Sequence, residues 1–493
     1  MSYKLNCLNN SEGYFFMYDV AIIGCGITGS ACAYYLSRYR LNIAIIEKNN
    51  DVCCGTTRAN SAIIHAGYDP VPGSNCAKYN VRGNELTKEI CKKLDVACKE
   101  IGSLVVAFSE KEKETLNVLY KRGIENGVPG MEMWDENKLK SEEPNISENA
   151  LGALYAPTAA IVNPWEYGLA MAETAVRNGA ELMLNTEVTD IKKNKNGWLI
   201  KTNTGEIEAK YVVNAAGVYA DIIHNMVAEK SFEILPTAGE YYLLDKSEGS
   251  RVNHVIFQCP NELGKGVLVS PTVHGNLIVG PNAINSDRDD TRTTTASLDF
   301  IRQAASKSVP SIQYRENIRN FTGVRANSDT DDFVIGFCEE NFLDLAGIKS
   351  PGLSAAPAIA EGAVEMLREN GLKLTEKGNF IDTRKHLRFK DLPDEKKNEV
   401  IARNPLYGRV VCRCETITEG EIVDALNSPI KPVSLDGVKR RAGTGMGRCQ
   451  GGFCGPKVLE IIARKNNIPF EDVLQDNTGS YILTGETKNG GAK

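Results

Sequence analysis

The first strongly patterned part of the chain is an apolar run at residues 20–23, which has the length of a buried strand. A glycine-rich turn occupies residues 24–29, and a helical stretch then continues to about Arg38. A second apolar run at residues 41–46 is followed at once by Glu47. A strand, a glycine turn, a helix, a strand and an acid in this order predict a dinucleotide-binding βαβ unit.

Each glycine in the turn GCGITG has a predicted role. Gly24 permits the tight turn, Gly26 allows the backbone to approach a pyrophosphate, and Gly29 allows the helix to pack on the strand. Thr28 lies at the start of the helix, where N–H groups and the helix dipole are expected to hold the phosphates. Glu47 lies 18 residues beyond Gly29, where its carboxylate would accept hydrogen bonds from ribose hydroxyls. This pattern leaves the choice between FAD and NAD open.

The remaining pieces of this domain are widely separated along the chain, which favours a flavoprotein. A simple NAD domain would continue with alternating strands and helices, whereas residues 53–69 form a small polar loop rich in Thr, Asn and Gly. A β-meander is predicted over residues 197–217, and a strand at residues 342–347 leads into a helix that ends near Asn370. One binding domain built from three separated pieces is typical of FAD proteins, in which inserted segments form a second domain.

Four motifs in these pieces resemble those of a known family. They are GCGITG at residues 24–29, TTRANSAIIHAG at 56–67, VVNAAG at 212–217 and GIKSPGLSAAPAIAEG at 347–362. Together they are similar to the D-amino-acid-oxidase-like FAD oxidoreductases, and in particular to the branch of L-2-hydroxyglutarate oxidases and anaerobic-type glycerol-3-phosphate dehydrogenases. The resemblance covers about residues 17–375. It implies bound FAD, a mixed sheet over the flavin, and oxidation of a C–H bond next to oxygen or nitrogen.

Composition places the chain among soluble globular proteins. Its 493 residues are 42% apolar and 24% charged, and 57 basic against 63 acidic residues give a net charge of −6. There is no basic surplus to indicate nucleic-acid binding, and no run approaches the roughly 18 apolar residues that a membrane-spanning helix needs. Residues 1–16 lack a signal-peptide core and are predicted to be a dispensable extension, because Met17 could serve as the start. We therefore expect a cytoplasmic protein.

Fourteen cysteines in a reducing compartment favour metal or redox chemistry over a disulfide framework. Four of them lie near the C-terminal end of the chain, at Cys412, Cys414, Cys449 and Cys454, in a segment dense in glycine. Thiolates at such a spacing bind zinc or iron–sulfur clusters, although paired zinc knuckles usually show a different pattern. A glycine-rich loop can wrap a cluster and direct N–H groups at its sulfurs, so structural zinc is the weaker alternative.

Two sequence strings around these cysteines, VCRCETITEGEI and LDGVKRRAGTGMGRCQGGFCGP, resemble the bacterioferritin-associated-ferredoxin-like 2Fe–2S domain. The resemblance covers about residues 409–475 and implies that the four cysteines bind a 2Fe–2S cluster. Lys439, Arg440, Arg441 and Arg448 are close in sequence, and we expect their positive charge to raise the potential of the cluster.

The expected fold class is α/β: a discontinuous Rossmann-like FAD-binding domain, an inserted α+β substrate domain and a small C-terminal 2Fe–2S domain. The FAD-binding domain is expected to have three segments and the substrate domain two, namely 17–90, 151–225 and 331–375 for the first, and 91–150 and 226–330 for the second. Residues 376–408 are predicted to be a charged linker that makes the C-terminal domain a separate folding unit, and residues 476–493 a tail.

His65 lies where the family places a loop beside the flavin. Its imidazole could accept the proton of a substrate hydroxyl while hydride leaves the same carbon for flavin N5, and a structural histidine is the alternative. The helix that begins near Gly352 would direct its N-terminus at the N1–C2=O end of the flavin and stabilise negative charge there. Ser350, Gly352 and Leu353 are therefore predicted cofactor contacts.

The resemblance implies that Arg325 binds the anionic group of the substrate, because Arg can grip a carboxylate or a phosphate with two parallel hydrogen bonds. An ordinary surface arginine is the alternative. Lys265, in the loop GKG, is a second and weaker candidate for the same anion. The further predicted cofactor contacts are Thr57, Arg58, Asn60, Ser61, Val188, Ala216 and Gly217.

These features predict an FAD dehydrogenase whose electrons leave through the 2Fe–2S cluster to a protein partner, either a second flavoprotein or a ferredoxin-like subunit. Glycerol 3-phosphate is the favoured substrate, because the resemblance includes the fused C-terminal domain. L-2-Hydroxyglutarate or another 2-hydroxy acid is one alternative, and an amine or imino acid is another. A non-catalytic electron-transfer subunit is the alternative from a different class. The sequence leaves the substrate, the partner and the oligomeric state open, since one Arg binds phosphate and carboxylate alike.

Overall fold

A computed structural model describes residues 17–260 and 266–485 and shows an α/β fold built around two large sheets. The eight-stranded sheet has a parallel centre, in which the strand Met17–Ile23 pairs with Ile43–Ile46 on one side and with Gly205–Asn214 on the other. Every residue of Ile43–Ile46 is buried, as expected for a parallel sheet with both faces covered. The other strands of this sheet are Glu181–Met183, Val188–Asn194, Gly197–Thr202, Val334–Glu339 and Phe342–Ala346.

Helices pack around this sheet so closely that glycine is required between two of them. Gly83 on the helix Asn75–Lys93 meets Ser354 on the helix Gly352–Glu369, and a Cβ at Gly83 would overlap the Ser354 carbonyl oxygen. The helix Ile27–Leu36, which follows the glycine turn, is buried along most of its length. The remaining helices of this region are Pro164–Arg177 and Ala220–His224.

The nine-stranded sheet forms the second layer of the fold. Its longest pair is Ile234–Leu244 against Asn317–Ser328, whose antiparallel register places Thr237 opposite Arg325. The helices of this layer are Glu110–Glu125, Glu136–Glu142 and Thr295–Ser306. Its other strands are Ser103–Ala107, Glu132–Asp135, Gly152–Ala156, Val255–Gln258, Leu268–Pro271, Leu277–Gly280 and Ile284–Asn285. A separate small sheet contains Ile63–Ile64, Cys98–Glu100 and Ala160–Val162.

The expected fold class is confirmed, with a shift at one domain boundary. The sequence predicts residues 151–225 in the FAD-binding domain, but the strand Gly152–Ala156 belongs to the nine-stranded sheet. It pairs with Ser103–Ala107 on one edge and with Glu132–Asp135 on the other. Because both edges of this strand are hydrogen-bonded in that sheet, the inserted domain extends beyond residue 150.

The predicted linker at residues 376–408 is folded onto the FAD-binding domain. It contains the helix Asp394–Arg403, and its charged side chains find partners on the domain beneath. The guanidinium of Arg384 lies 3.2 Å from a carboxylate oxygen of Glu173, and that of Arg388 lies 3.0 Å from Glu166. Charged side chains of this segment therefore attach it to the FAD-binding domain, which corrects the prediction that it is only a linker.

The C-terminal domain has its own small core but is fastened to the rest of the chain. Ile422, Val438 and Ile462 are buried within it. Its strands are Val410–Cys412 and Ile417–Thr418, and its helices are Glu419–Leu426, Leu435–Ala442 and Gly455–Asn466. Asn50 of the FAD-binding domain donates a side-chain hydrogen bond to the carbonyl of Asp476 (2.8 Å). The beginning of the predicted tail is thus part of the interface between the domains, so the C-terminal domain is held to the rest of the chain by direct contacts as well as by the preceding segment.

Short 3₁₀ turns connect many of these elements. They are Thr56–Arg58, Gly217–Tyr219, Lys246–Glu248, Tyr314–Glu316, Phe389–Asp391, Pro405–Gly408 and Phe470–Asp472.

The segments predicted as an N-terminal extension (1–16) and the end of the tail (486–493) lie outside the described residues. Across residues 17–260 and 266–485, no helix combines the length and the apolar character needed to cross a membrane.

Candidate functional site

A cleft of about 1790 Å³ lies between the two large sheets. Its walls come from the glycine turn, the loop after the second strand, the end of Gly205–Asn214 and the start of the helix Gly352–Glu369. Strands of the nine-stranded sheet form the opposite wall. The predicted site residues that line the cleft are Gly24, Gly26, Thr28, Glu47, Thr57, Asn60, Ser61, His65, Val188, Ala216, Gly217, Arg325, Ser350, Gly352 and Leu353.

The glycine turn has the geometry of a dinucleotide site. Gly24 has φ +94°, and a Cβ there would lie 2.6 Å from the carbonyl oxygen of Ala215. A Cβ at Gly29 would overlap the carbonyl oxygen of Gly24, so Gly29 serves the packing of helix on strand. The N–H of Ile27 donates to the hydroxyl of Thr57 (2.9 Å), which joins the cofactor loop to the helix N-terminus. A diphosphate fits at this N-terminus, where N–H groups and the helix dipole favour negative charge.

Glu47 sits at the end of the second strand with its carboxylate held in place. One carboxylate oxygen accepts from the N–H of Cys25 (2.8 Å), and the other accepts from the N–H of Asn49 (2.9 Å). Burial raises the pKa of Glu47, and the hydrogen bonds from these two residues act in the opposite direction. The carboxylate thus braces the glycine turn while it lines the cleft.

Arg58 is not brought to the cleft. In the described structure the guanidinium of Arg58 forms an ion pair with the carboxylate of Asp476, and Arg58 is absent from the cleft lining. The predicted cofactor contact of Arg58 is therefore replaced by a contact between the cofactor loop and the C-terminal domain. Lys265 lies outside the described residues.

His65 lines the cleft on a tightly anchored piece of backbone. Its N–H donates to the hydroxyl of Ser354 (2.7 Å), and its carbonyl accepts from the side-chain amide of Asn84 (3.1 Å). The imidazole stacks on Phe257 with 5.7 Å between ring centres, and Nε2 lies 3.3 Å from the hydroxyl of Ser350. These contacts hold the imidazole ring of His65 at the N-terminus of the helix Gly352–Glu369.

Arg325 reaches the cleft through a gap that only glycine leaves. Its Nη2–H donates to the carbonyl of Asn282 (3.1 Å). A Cβ at Gly239, on the neighbouring strand, would overlap Nη2 of Arg325 and lie 2.9 Å from Pro281. Sequence reasoning missed Gly239, because its importance depends on which residue lies beside it in the sheet.

Tyr241 is a further cleft residue that the sequence did not reveal. Its hydroxyl lies 3.1 Å from the hydroxyl of Ser61, which fixes one end of the cofactor loop against the nine-stranded sheet. Its ring stacks on Phe321 at 4.7 Å between centres. Alternation along the strand places Tyr241 on the same side as Gly239, and this pattern was the available signal.

The four predicted cysteine ligands converge in the C-terminal domain. The sulfur of Cys414 lies 3.7 Å from that of Cys412 and 4.0 Å from that of Cys449. A Cβ at Gly447 would lie 2.5 Å from the Cys414 sulfur, so glycine is needed there for the loop to close. A hydrogen bond with the thiol of Cys454 is the main cause that lowers the pKa of Cys412 to about 5.

Backbone groups also act on the sulfur of Cys412. Hydrogen bonds from the backbone of Gly445 and Glu415 add to the lowering of its pKa, after that from Cys454. Four cysteines with such donors fit a 2Fe–2S cluster, whose potential depends on hydrogen bonds to its sulfurs.

The cations expected to tune the cluster have other partners. The guanidinium groups of Arg440 and Arg441 lie 2.9 Å from carboxylate oxygens of Asp51, in the FAD-binding domain. Arg448 lies 2.7 Å from a carboxylate oxygen of Glu316. These three arginines therefore fasten domains together, and the effect of their charge and that of Lys439 on the cluster potential stays a prediction.

Comparisons with known proteins agree with this geometry. Residues 19–366 match the family DAO, described as FAD dependent oxidoreductase, and residues 410–464 match the family of BFD-like 2Fe–2S binding domains. The chain is 49% identical to the glycerol 3-phosphate dehydrogenase of Caloramator mitchellensis, over 96% of this chain and 99% of that protein. It is 30% identical to an L-2-hydroxyglutarate dehydrogenase of Escherichia coli, over 81% of this chain and 94% of that protein.

Among solved structures, the FAD-bound, dithionite-reduced L-α-glycerophosphate oxidase of Mycoplasma pneumoniae superposes with a TM-score of 0.72. It is 34% identical and covers 75% of this chain and 98% of its own. FAD and a 2Fe–2S cluster are thus the cofactors of this chain, an oxidoreductase similar to glycerol-3-phosphate dehydrogenase. The chain belongs to the DAO family of FAD-dependent oxidoreductases.

Proposed function

We propose that the protein oxidises glycerol 3-phosphate to dihydroxyacetone phosphate and passes the electrons through its 2Fe–2S cluster to a protein partner. The observation that carries the proposal is that His65 and Arg325 line the same cleft as the glycine turn. A proton acceptor and an anion ligand are the groups that an alcohol carrying a phosphate requires. The 49% identity to a protein named glycerol 3-phosphate dehydrogenase supports this substrate.

Arg325 would bind the phosphate. A guanidinium has five N–H donors, and the bond to Asn282 uses one of them, so a planar pair is available to two phosphate oxygens. The gap at Gly239 lets the guanidinium lie flat beside the strand Ile234–Leu244. Lys265 would add a second positive charge to the same anion.

His65 would accept the proton of the substrate hydroxyl. Nε2, the nitrogen beside Ser350, is the proposed acceptor, and it must be unprotonated to serve. The stacking on Phe257 and the anchored backbone keep the ring from turning away, so the base is oriented before the substrate binds.

The oxidation converts a secondary alcohol to a ketone, which removes two electrons and two protons from the substrate. Bound FAD supplies the acceptor for the hydride that leaves C2 of glycerol 3-phosphate. The hydroxyl proton goes to His65, and the C2–O bond becomes a carbonyl. Ser350, Gly352 and Leu353 place the N-terminus of their helix at the cleft, where its dipole would stabilise the negative charge that arrives with the hydride.

The C-terminal domain would carry the electrons away. It is attached directly beside the cofactor loop, through Asp51 and through the ion pair of Arg58 with Asp476. The Mycoplasma pneumoniae oxidase spans 75% of this chain, whereas the Caloramator dehydrogenase spans 96%. The extent of the second match supports a route to an acceptor other than oxygen, with the two electrons leaving singly through the cluster.

The test is anaerobic reduction of the flavin by a panel of candidate substrates. We expect glycerol 3-phosphate to bleach the flavin fastest, with dihydroxyacetone phosphate as the product and reduction of the cluster afterwards. Faster bleaching by L-2-hydroxyglutarate would identify a 2-hydroxy-acid dehydrogenase, the activity named for the Escherichia coli relative. Faster bleaching by an amino acid would identify an amine dehydrogenase, and bleaching by no compound would favour a non-catalytic electron-transfer subunit.

A further inference from the structure

An aromatic side chain next to the predicted iron–sulfur ligands is largely exposed to solvent. Phe453 lies between the ligands Cys449 and Cys454, and 84% of its surface is exposed. Cys414, whose sulfur is 4.0 Å from that of Cys449, is also exposed. Aromatic side chains, Phe among them, are enriched at protein interfaces relative to the rest of the surface.

The exposed charged residues that neighbour the cluster cysteines along the chain all have one sign. Every exposed charged residue within four positions of a cluster cysteine is a cation, namely Arg409, Arg413, Arg448 or Lys457. Glu415, the acid in these same stretches, is buried and lies 2.9 Å from the ammonium of Lys246. The nearest exposed acid along the chain is Glu460, one turn further on the helix Gly455–Asn466.

Two of these cations lack a carboxylate partner in the part of the chain that the structure describes. Arg409 is paired with Glu419 and Arg448 with Glu316, whereas Arg413 and Lys457 form no ion pair within the described parts of the chain. The protein as a whole carries a net charge of −6. The overall charge therefore repels an acidic molecule, whereas the unpaired cations beside the cluster cysteines attract it.

We propose that this surface, the cluster face formed by Arg413, Cys414, Phe453 and Lys457, docks a small acidic electron-carrier protein. The proposal rests on the electron relay proposed above and names its exit. Phe453 would insert into an apolar spot on the carrier, while Arg413 and Lys457 meet its carboxylates. Docking there places the carrier's redox centre against the exposed Cys414 edge of the cluster.

A small docking surface suits transient electron transfer to a carrier protein. Electron-transfer encounters bury less than about 1,200 Å², because the carrier must leave after each electron. The charges of Arg413 and Lys457 then set the association rate of the carrier, and the aromatic anchor Phe453 sets the lifetime of the complex. Each substrate molecule releases two electrons, so two molecules of a one-electron carrier are reduced in turn and two protons are released.

The experiment uses the full-length holoenzyme with two carriers of opposite charge. Acidic rubredoxin and basic cytochrome c are the probes, with glycerol 3-phosphate as reductant and a small uncharged dye as a measure of flavin turnover. We expect rubredoxin to be reduced efficiently at low salt and progressively less well as salt rises. Cytochrome c should be reduced slowly at low salt.

The variants are Phe453→Ser and Lys457→Glu, with Lys465→Glu at the far end of the same helix as the matched control. The first two should lower kcat/KM for rubredoxin about tenfold while dye reduction and the cluster absorption stay unchanged. Lys465→Glu should match the parent.

Equal rubredoxin kinetics in the parent, Phe453→Ser and Lys457→Glu would overturn the docking site, as would faster reduction of cytochrome c than of rubredoxin at low salt. Failure of the proposed function looks different. In that case glycerol 3-phosphate leaves the flavin oxidised, or the flavin is bleached while the cluster stays oxidised, before any carrier is added.

Discussion

The carboxylate of Asp51 and the guanidinium of Arg441 form a buried pair, with Nη2 2.9 Å from Oδ1 and Nη1 2.9 Å from Oδ2. The two side chains are 3% and 2% exposed and come from different domains. Arg440 adds a second guanidinium 2.9 Å from Oδ2 of the same carboxylate. The iron–sulfur domain is thus attached just before the cofactor loop, and the two redox centres belong to one folded body.

Removing the charge of Asp51 should loosen this attachment. Asp51→Asn leaves Arg440 and Arg441 buried beside a neutral amide, so we expect a loss of about 3–5 kcal/mol in the free energy of unfolding. Urea denaturation measures it, and proteolysis should cut near residues 376–408 sooner. The control is Glu233→Gln, which removes the exposed partner of Lys230 and should cost less than about 1 kcal/mol. Equal losses in the two variants would contradict the role of the buried pair.

Lys439 should give a pH-dependent stability. Burial, assisted by the charge of Arg319, lowers its pKa from 10.5 to about 8. Between these values the unfolded chain binds the proton and the folded chain does not, so stability rises with pH across that interval. Lys439→Met should therefore stabilise the protein by up to about 3 kcal/mol at pH 7, and the gain should shrink towards pH 10.

Thermal unfolding of the parent and Lys439→Met at pH 7 and pH 9.5 measures this effect. Lys431→Met, at an exposed position in the same domain, is the control and should show no pH-dependent gain. A gain for Lys439→Met that is the same at both pH values would point to better packing by methionine instead of removal of a buried charge.

Gly239 should be needed for binding of the substrate and not for binding of FAD. In Gly239→Ala the new methyl group overlaps Nη2 of Arg325 and must displace the guanidinium. We expect KM for glycerol 3-phosphate to rise about tenfold with FAD content unchanged, measured by steady-state kinetics and flavin absorbance. Gly336→Ala, where a Cβ meets nothing within 4 Å, is the matched control. A normal KM in Gly239→Ala would show that the position of Arg325 is unimportant.

Arg325 itself should contribute through the shape of its side chain as well as its charge. Arg325→Lys keeps the charge but loses the two parallel donors. We therefore expect the free energy of substrate binding to weaken by about 1–3 kcal/mol of charge-assisted hydrogen bonding. KM should rise accordingly, while FAD occupancy should fall little. The exposed Arg315→Lys serves as the control. An unchanged KM with every good substrate would remove Arg325 from the anion site.

Breaking the cluster should separate two half-reactions. In Cys449→Ser, substrate should still bleach the flavin, because the cleft residues belong to other elements. Reduction of the protein acceptor should fail, because the route through the cluster is lost. Rapid-mixing spectroscopy of the flavin, followed by acceptor reduction, distinguishes the steps. Loss of bound FAD in this variant would instead show that the cysteine domain serves to stabilise the folded, FAD-binding form of the protein.

Local motifs were readable from the sequence alone. The turn at Gly24 and Gly29 and the ligand pair Cys412 and Cys414 combine a short spacing with a chemical need that few other residues satisfy. The FAD-binding domain, the 2Fe–2S domain and their cofactors followed from these motifs only together with the family resemblance over about residues 17–375 and 409–475, before any contact was known.

The structure decided whatever depends on distant residues meeting. Asp51 and Arg441 are 390 positions apart, and no local pattern tells that the charges of a polar segment will be buried against each other. Gly239 lies beside Arg325 only because of the register between two antiparallel strands. The sequence determined which groups are available for binding and chemistry, because that information is local. The tertiary structure decided which of them meet, because packing joins positions that the chain keeps far apart.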